Sequence, residues 1–211
     1  MKDIGVNDIP ALDDKPQTMA LWDDISGLPP EETARKSGVS HVLIEGKAVY
    51  EIPFFSEPYK ADCLKKRLTD ASGSPATFQE LVCVSAYLKN SFEGPSPGLA
   101  GVETSPRELP SGSFFFQGPH VLPTRSLATK FGEDPGAFEK KALSLGAEPH
   151  GKNGFKIKAL PHALLYFYLD PKDPEFDADA RFNFDANILH YLPLDGAWGL
   201  ANELTVRLLK D

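Results

Sequence analysis

In residues 48–54 the apolar Ala48, Tyr50, Ile52 and Phe54 recur at period two and so share one face of a strand. With His41–Glu45 before it and Glu45-Gly46-Lys47 as the turn, this predicts a β-hairpin. Pro53 predicts an edge or an end at that point, because proline cannot donate to a ladder. Tyr59–Leu64 reads as the next strand, with Tyr59, Ala61 and Cys63 sharing a face. Further strands are predicted over Glu103–Leu109, Gly112–Gln117, Phe155–Leu160, Ala163–Leu169 and Ala180–Phe184.

Helical spacing alternates irregularly with these strands. Pro16–Ile25 places Leu21 and Trp22 inward, and Pro30-Glu31-Glu32 opens a second helix that Gly38 ends. Thr77-Phe-Gln-Glu80 is a capping box for a helix to about Leu88, with Phe78, Leu81, Val82 and Leu88 as its stripe. Pro123–Phe131 and Asp134–Leu145 follow, the latter with an Asp134 cap, Pro135 at its first position and Gly146 at its end. The last helix runs from an Asp195 cap to Leu209 and buries Leu200, Ala201, Leu204 and Leu208. Residues 90–101, rich in Gly, Pro and Ser, form the clearest loop.

The expected fold is therefore α+β: a mixed or mainly antiparallel sheet, helices packed on one side, and a C-terminal helix closing the core. Residues 1–15 are expected to be a loose segment and 16–211 a single domain, without repeats.

Composition narrows the function. Hydrophobic residues make up 41% of 211, enough for an ordinary core, and 14 Phe against 2 Met favour rigid rings within it. A net charge of −8 with no basic stripe argues against nucleic acid. No run approaches a membrane span and the N-terminus has no signal-peptide pattern, so the expected location is cytoplasmic. Two Cys supply neither a disulfide framework nor four thiolates, and Cys63 and Cys83 read as small buried hydrophobes.

Chemically capable side chains are densest at the C-terminal strand-to-helix junction: Asp185, Asn187, His190, Tyr191 and Asp195. Asp185 and His190 could hold a divalent metal, or a carboxylate could orient His190 as a general base. Structurally, Asp185 and Asn187 equally suit a turn, Asp195 an N-cap, and His190 with Tyr191 a hydrogen-bonded pair. Arg107, between two prolines, is a candidate anion anchor or one half of an internal ion pair. Asp170, Asp173, Glu175, Asp177 and Asp179 lack the glycine and terminal glutamate of a calcium loop and read as a solvated acidic loop. His120, His150 and His162 flank glycines or prolines and read as solvent-facing loop residues. No phosphate loop or nucleophile elbow is present.

The segment Phe184-Asp185-Ala186, through His190-Tyr191-Leu192-Pro193 to Asp195, resembles a signature of the domain-of-unknown-function family 3786. Ser105–Gly112, Leu127–Pro135 and Gly151–Leu160 resemble further segments of that family in the same order, so the likeness covers roughly residues 30–210. The chain departs at Pro106, where the family tends to an aromatic, and at Ser111, where it tends to glycine. The resemblance implies a setting in anaerobic bacteria and archaea, with some relatives joined to iron–sulfur modules. This chain lacks the cysteines for such a module, so no cofactor is assigned.

Three functions follow as expectations. The leading one is a ligand-binding or accessory protein, for which the resemblance implies a redox or corrinoid-linked anaerobic pathway, with Arg107, Asp185, His190 and Tyr191 at the site and Tyr191 orienting His190 or the ligand. The second is a metal-dependent hydrolase using His190 and Asp185. The third is an interaction protein, either bound to a partner or forming a homodimer through a strand edge near Tyr50–Phe54.

Overall fold

The computed structural model describes residues 16–210; the N-terminal segment 1–15 lies outside the described residues, as does Asp211. Within them the chain is α+β, with every strand pair antiparallel. The expected single sheet is two. Helices α1 (Pro16–Ser26) and α2 (Pro30–Ser37) precede a meander of β1 (Ser40–Ile44), β2 (Lys47–Phe54), β3 (Glu57–Asp62) and β4 (Arg67–Thr69). The helix α3 (Phe78–Glu93) leads through the Gly/Pro-rich loop to β5 (Glu103–Thr104). After α4 (Gly112–Phe115), α5 (Thr124–Phe131) and α6 (Pro135–Ser144) come β6 (Glu148–Pro149), β7 (Gly154–Leu160), β8 (Ala163–Asp170) and β9 (Asp179–Asp185). The second sheet has the order β5-β9-β8-β7-β6, and α7 (Leu194–Leu209) ends the fold.

Local chemistry explains most boundaries. Thr77 and Glu80 form the predicted reciprocal cap of α3. Asp134 accepts from Ala137 N at 2.9 Å, with Pro135 in the first turn of α6. The β1–β2 turn places Glu45 and Gly46 both at positive φ, 50° and 75°, the two-residue hairpin geometry that favours glycine at its second position. Pro53 lies beyond Glu51, where pairing with β1 ends, so its missing N–H costs no ladder bond.

Four expectations change. Gly112–Gln117 is not a strand but contains the short helix α4, and the strand at Glu103 stops after two residues. Pro106 and Pro110 withhold ladder donors there, and Ser111, with φ of 62°, turns the chain. Helix α7 begins at Leu194 behind Pro193, so Asp195 sits in its first turn rather than at its cap, its carboxylate accepting from Gly196 N. The buried stripe of α3 is shifted from prediction: Phe78 is exposed, whereas Glu80, Leu81, Cys83, Val84, Tyr87 and Leu88 are buried.

One continuous core joins the two sheets. Tyr50, Ile52, Phe54, Tyr59 and Ala61 from the first meet Phe155, Ile157, Phe167, Phe182 and Phe184 from the second in this single cluster, together with α3 and α7. Phe55 N donates to Ala159 O at 2.9 Å, tying the first sheet to β7. The inner face of the second sheet is thus spent on the core. Its outer face carries Glu103, Lys156, Lys158, Leu164, Tyr166, Tyr168, Arg181, Asn183 and Asp185. Among the described residues, no helix is long and apolar enough to cross a membrane.

Candidate functional site

The C-terminal junction folds into a latch for the loop 98–101. Asp185, at the end of β9, is fully buried. One carboxylate oxygen accepts from Ala100 N and Asn187 N, both at 2.9 Å, and the other from Gly101 N at 2.8 Å. Asn187 donates its side-chain amide to Gly98 O at 3.0 Å, and the Tyr191 hydroxyl accepts from Gly98 N. Tyr191 is buried with its ring tilted against His162, 4.8 Å between centroids. A buried anion surrounded by three amide donors is adequately solvated by the backbone alone. Tyr191, expected to orient His190 or a ligand, has its hydroxyl on Gly98 N rather than on His190. His190 itself is exposed, and Asp195 is exposed one turn further on. Among the described residues no group of three His, Cys, Asp or Glu side chains is arranged to hold a metal ion. Arg107 is exposed in the turn after β5 and has no ion pair among the described residues; Glu108 caps that turn by accepting from Ser105 N.

The latch delivers Glu103 onto the outer face of the second sheet, through β5 pairing with Phe184 and Asp185. There its carboxylate collects three donors: the Tyr168 hydroxyl at 2.8 Å, the Asn183 amide at 2.6 Å and His150 Nε2 at 3.0 Å. Partial burial opposes the charge on Glu103, but the bonds from Asn183, Tyr168 and His150 outweigh it and hold its carboxyl below the usual glutamate range. Burial and the Glu103 bond together push the Tyr168 phenol upward. Nε2 of His150 is engaged by the carboxylate, and its second ring nitrogen, Nδ1, has no hydrogen-bond partner among the described residues. Its ring leans on Tyr166, 4.8 Å between centroids, and remains half-exposed.

Gly154 makes this geometry possible. It pairs with Tyr168, and a Cβ there would stand 2.3 Å from two ring carbons, so glycine leaves room on β7 for the ring whose hydroxyl reaches Glu103. The Arg181 guanidinium covers the ring at 4.1 Å and also pairs with Asp170.

Leu99, carried by the latched loop, packs on Leu164, Tyr166 and Tyr168. Between that loop and β7 opens a cavity of about 300 Å3, lined by Leu99, Leu164, Lys156, Lys158, Ser56 and Glu148. Lys156 is paired with Glu148 at 3.1 Å, whereas Lys158 has no carboxylate partner among the described residues. Lys156 is the cross-strand neighbour of Tyr166, so cavity and His150 share one face.

The sequence pointed to Asp185 and Tyr191 but not to Glu103, His150, Tyr168 or Asn183. Two signals were legible: Tyr166 and Tyr168 share one face of an otherwise apolar strand, and His150 adjoins a turn with glycines at 151 and 154. Glu103 lies far from both along the chain and carries no motif. The three loop histidines, expected in solvent, are half-buried in separate aromatic settings: His120 on Phe115, His150 on Tyr166 and His162 on Tyr191. The acidic loop 170–179 is exposed as expected, apart from Ala178 and Pro171, with Asp173 capping its turn.

Neither a curated protein nor a solved structure matches the chain. A family model does, over residues 29–207, a span that includes both sheets, the latch and the Glu103 group. The chain belongs to the family described as domain of unknown function DUF3786.

Proposed function

We propose that this chain is a ligand-binding or accessory protein that takes a small organic anion on the outer face of its second sheet. Lys158 meets the negative charge, Leu99 and Leu164 contact the carbon skeleton, and His150 Nδ1 forms a hydrogen bond with a polar group of the ligand. Asp185, Asn187 and Tyr191 act as positioning residues through the loop. The observation that carries this reading is Glu103: its carboxylate is engaged by three side chains from separate segments, one of them a histidine whose second ring nitrogen has no partner among the described residues, on the sheet face that also carries the cavity lined by Lys156 and Lys158. A mixed apolar and cationic wall with one directed polar group is the usual make-up of a small-ligand site.

The test is nuclear magnetic resonance titration with a panel of small carboxylates and phosphates, following the His150 ring and Lys158 side-chain resonances. At least one compound is expected to shift both, and His150→Ala and Lys158→Ala should each weaken it by about tenfold, the worth of one charged hydrogen bond. Glu103→Gln should weaken it through His150 alone. Shifts confined to other surfaces, or binding unchanged in both alanine variants, would remove this site from consideration.

A further inference from the structure

The first strand is exposed on both faces. Along β1, Val42, Leu43 and Ile44 are 57%, 61% and 42% exposed, and β1 pairs only with β2. Edge strands ordinarily carry charge, proline or a bulge that prevents further pairing. Ser40-His41-Val42-Leu43-Ile44 has none of these. We infer that a second copy of this chain covers the edge, with β1 pairing antiparallel to the β1 of its twin about a twofold axis through Val42.

Register and charge both favour the second copy. In a two-residue hairpin the closing pair, here Ile44 and Lys47, exchanges both backbone bonds, so Ile44, Val42 and Ser40 point their main-chain groups toward β2. The groups of His41 and Leu43 point outward. A twofold axis at Val42 sets His41 opposite the twin's Leu43, and those are the residues with free donors and acceptors. Val42 then meets its own copy in the closer, non-bonded type of pair. On the same face as Val42, Ser40 neighbours Glu51 and Ile44 neighbours Lys47 within each chain. Placing Ser40 opposite the twin's Ile44 therefore sets Glu51 and the twin's Lys47 at the two ends of one transverse row, opposite in sign, and the symmetric row repeats this. No like charges are opposed in this register. The contact is isologous, as closed homodimers require. One short edge makes a small interface, so the association belongs to the weak class.

Sedimentation analysis of the full chain from micromolar to millimolar concentration tests this. The mass is expected to rise from 23.1 kDa toward twice that value as concentration increases. Leu43→Pro deletes an outward-facing donor that the hairpin does not use, and Val42→Lys opposes two like charges on the axis. Each should weaken association by at least about tenfold. Should Leu43→Pro fail to fold, Val42→Lys decides alone. A wild-type chain that stays monomeric throughout would overturn the inference, as would dimers that persist in Val42→Lys. Protection of the Leu43 amide from hydrogen exchange in a monomer would mean that another segment of the same chain covers the edge, and would overturn it equally.

Discussion

At the scale of single residues, Asp185 and His190 show how differently two neighbours in one motif are used. Both are chemically capable, but Asp185 has no solvent exposure and spends its carboxylate on the amides of Ala100, Gly101 and Asn187, whereas His190 projects outward. Asp185→Asn would replace one accepting oxygen by an NH2 facing a backbone donor, leaving buried groups unpaired at a cost of about 2 kcal/mol. Urea denaturation should show that loss, and the amides of Ala100 and Gly101 should exchange markedly faster. His190→Ala should change stability by no more than about 0.5 kcal/mol, as exposed positions without special partners do. Equal effects of the two substitutions would contradict this division of roles.

At the scale of elements, one cation joins three of them. Arg207 on α7 bonds Glu203 one turn earlier, Glu57 and Tyr59 on β3, and Glu80 in the first turn of α3, while its guanidinium stacks near Phe54 and Phe55. Three carboxylates around one guanidinium leave an excess of negative charge in a largely buried place. Burial, then the charge of Glu80, push the Glu203 carboxyl upward, with Arg207 restraining it. Arg207→Met would remove that restraint and cost about 3 kcal/mol at neutral pH, the penalty for an uncompensated buried charge. A carboxyl raised in the folded state favours folding below its unfolded value and ceases to do so as pH rises through its folded value. The deficit of the variant should therefore shrink as pH is lowered from 7 toward 4, which denaturant midpoints across that range would show. A deficit independent of pH would assign the effect to lost packing alone. This clamp was half legible in sequence. The Thr77–Glu80 cap was read correctly, because a capping box is local, but the burial of Glu80 was not, because its partners Tyr59 and Arg207 are distant in sequence. Helix ends, turns and strand faces follow from neighbours a few residues apart. The segment at Gly112, by contrast, reads as a strand from its run of three phenylalanines but forms one helical turn, which the left-handed Ser111 initiates.

At the scale of the molecule, the α+β class was legible and the division into two sheets was not, because strand pairing beyond adjacent hairpins depends on contacts that local pattern does not encode. The same limit hid the outer-face site: Glu103, His150, Tyr168 and Asn183 meet only once β5 and the β6–β7 turn reach the two sides of β8 and β9. Two sheets raise the question of how many units unfold. The bond from Phe55 N to Ala159 O, the Arg207 clamp and the Tyr87 hydroxyl, which donates to Ser37 O and accepts from His162 N, all link the early elements to the late ones. With a single continuous core beneath them, neither sheet can lose its inner face without exposing the other, so residues 16–210 are proposed to unfold as one cooperative unit. The two tryptophans are placed to test it. Trp22 is buried in α1 beside the first sheet, and Trp198 in α7 donates to Val121 O at 3.2 Å and meets the His120 ring edge-on. In Trp198→Phe the fluorescence reports the first half, and in Trp22→Phe the second. Within each variant the fluorescence transition should coincide with the loss of far-ultraviolet circular dichroism, although Trp22→Phe will lower both midpoints by opening space in the core. Separated transitions in either variant would mean that the two sheets belong to independently unfolding units and that the shared core does not couple them.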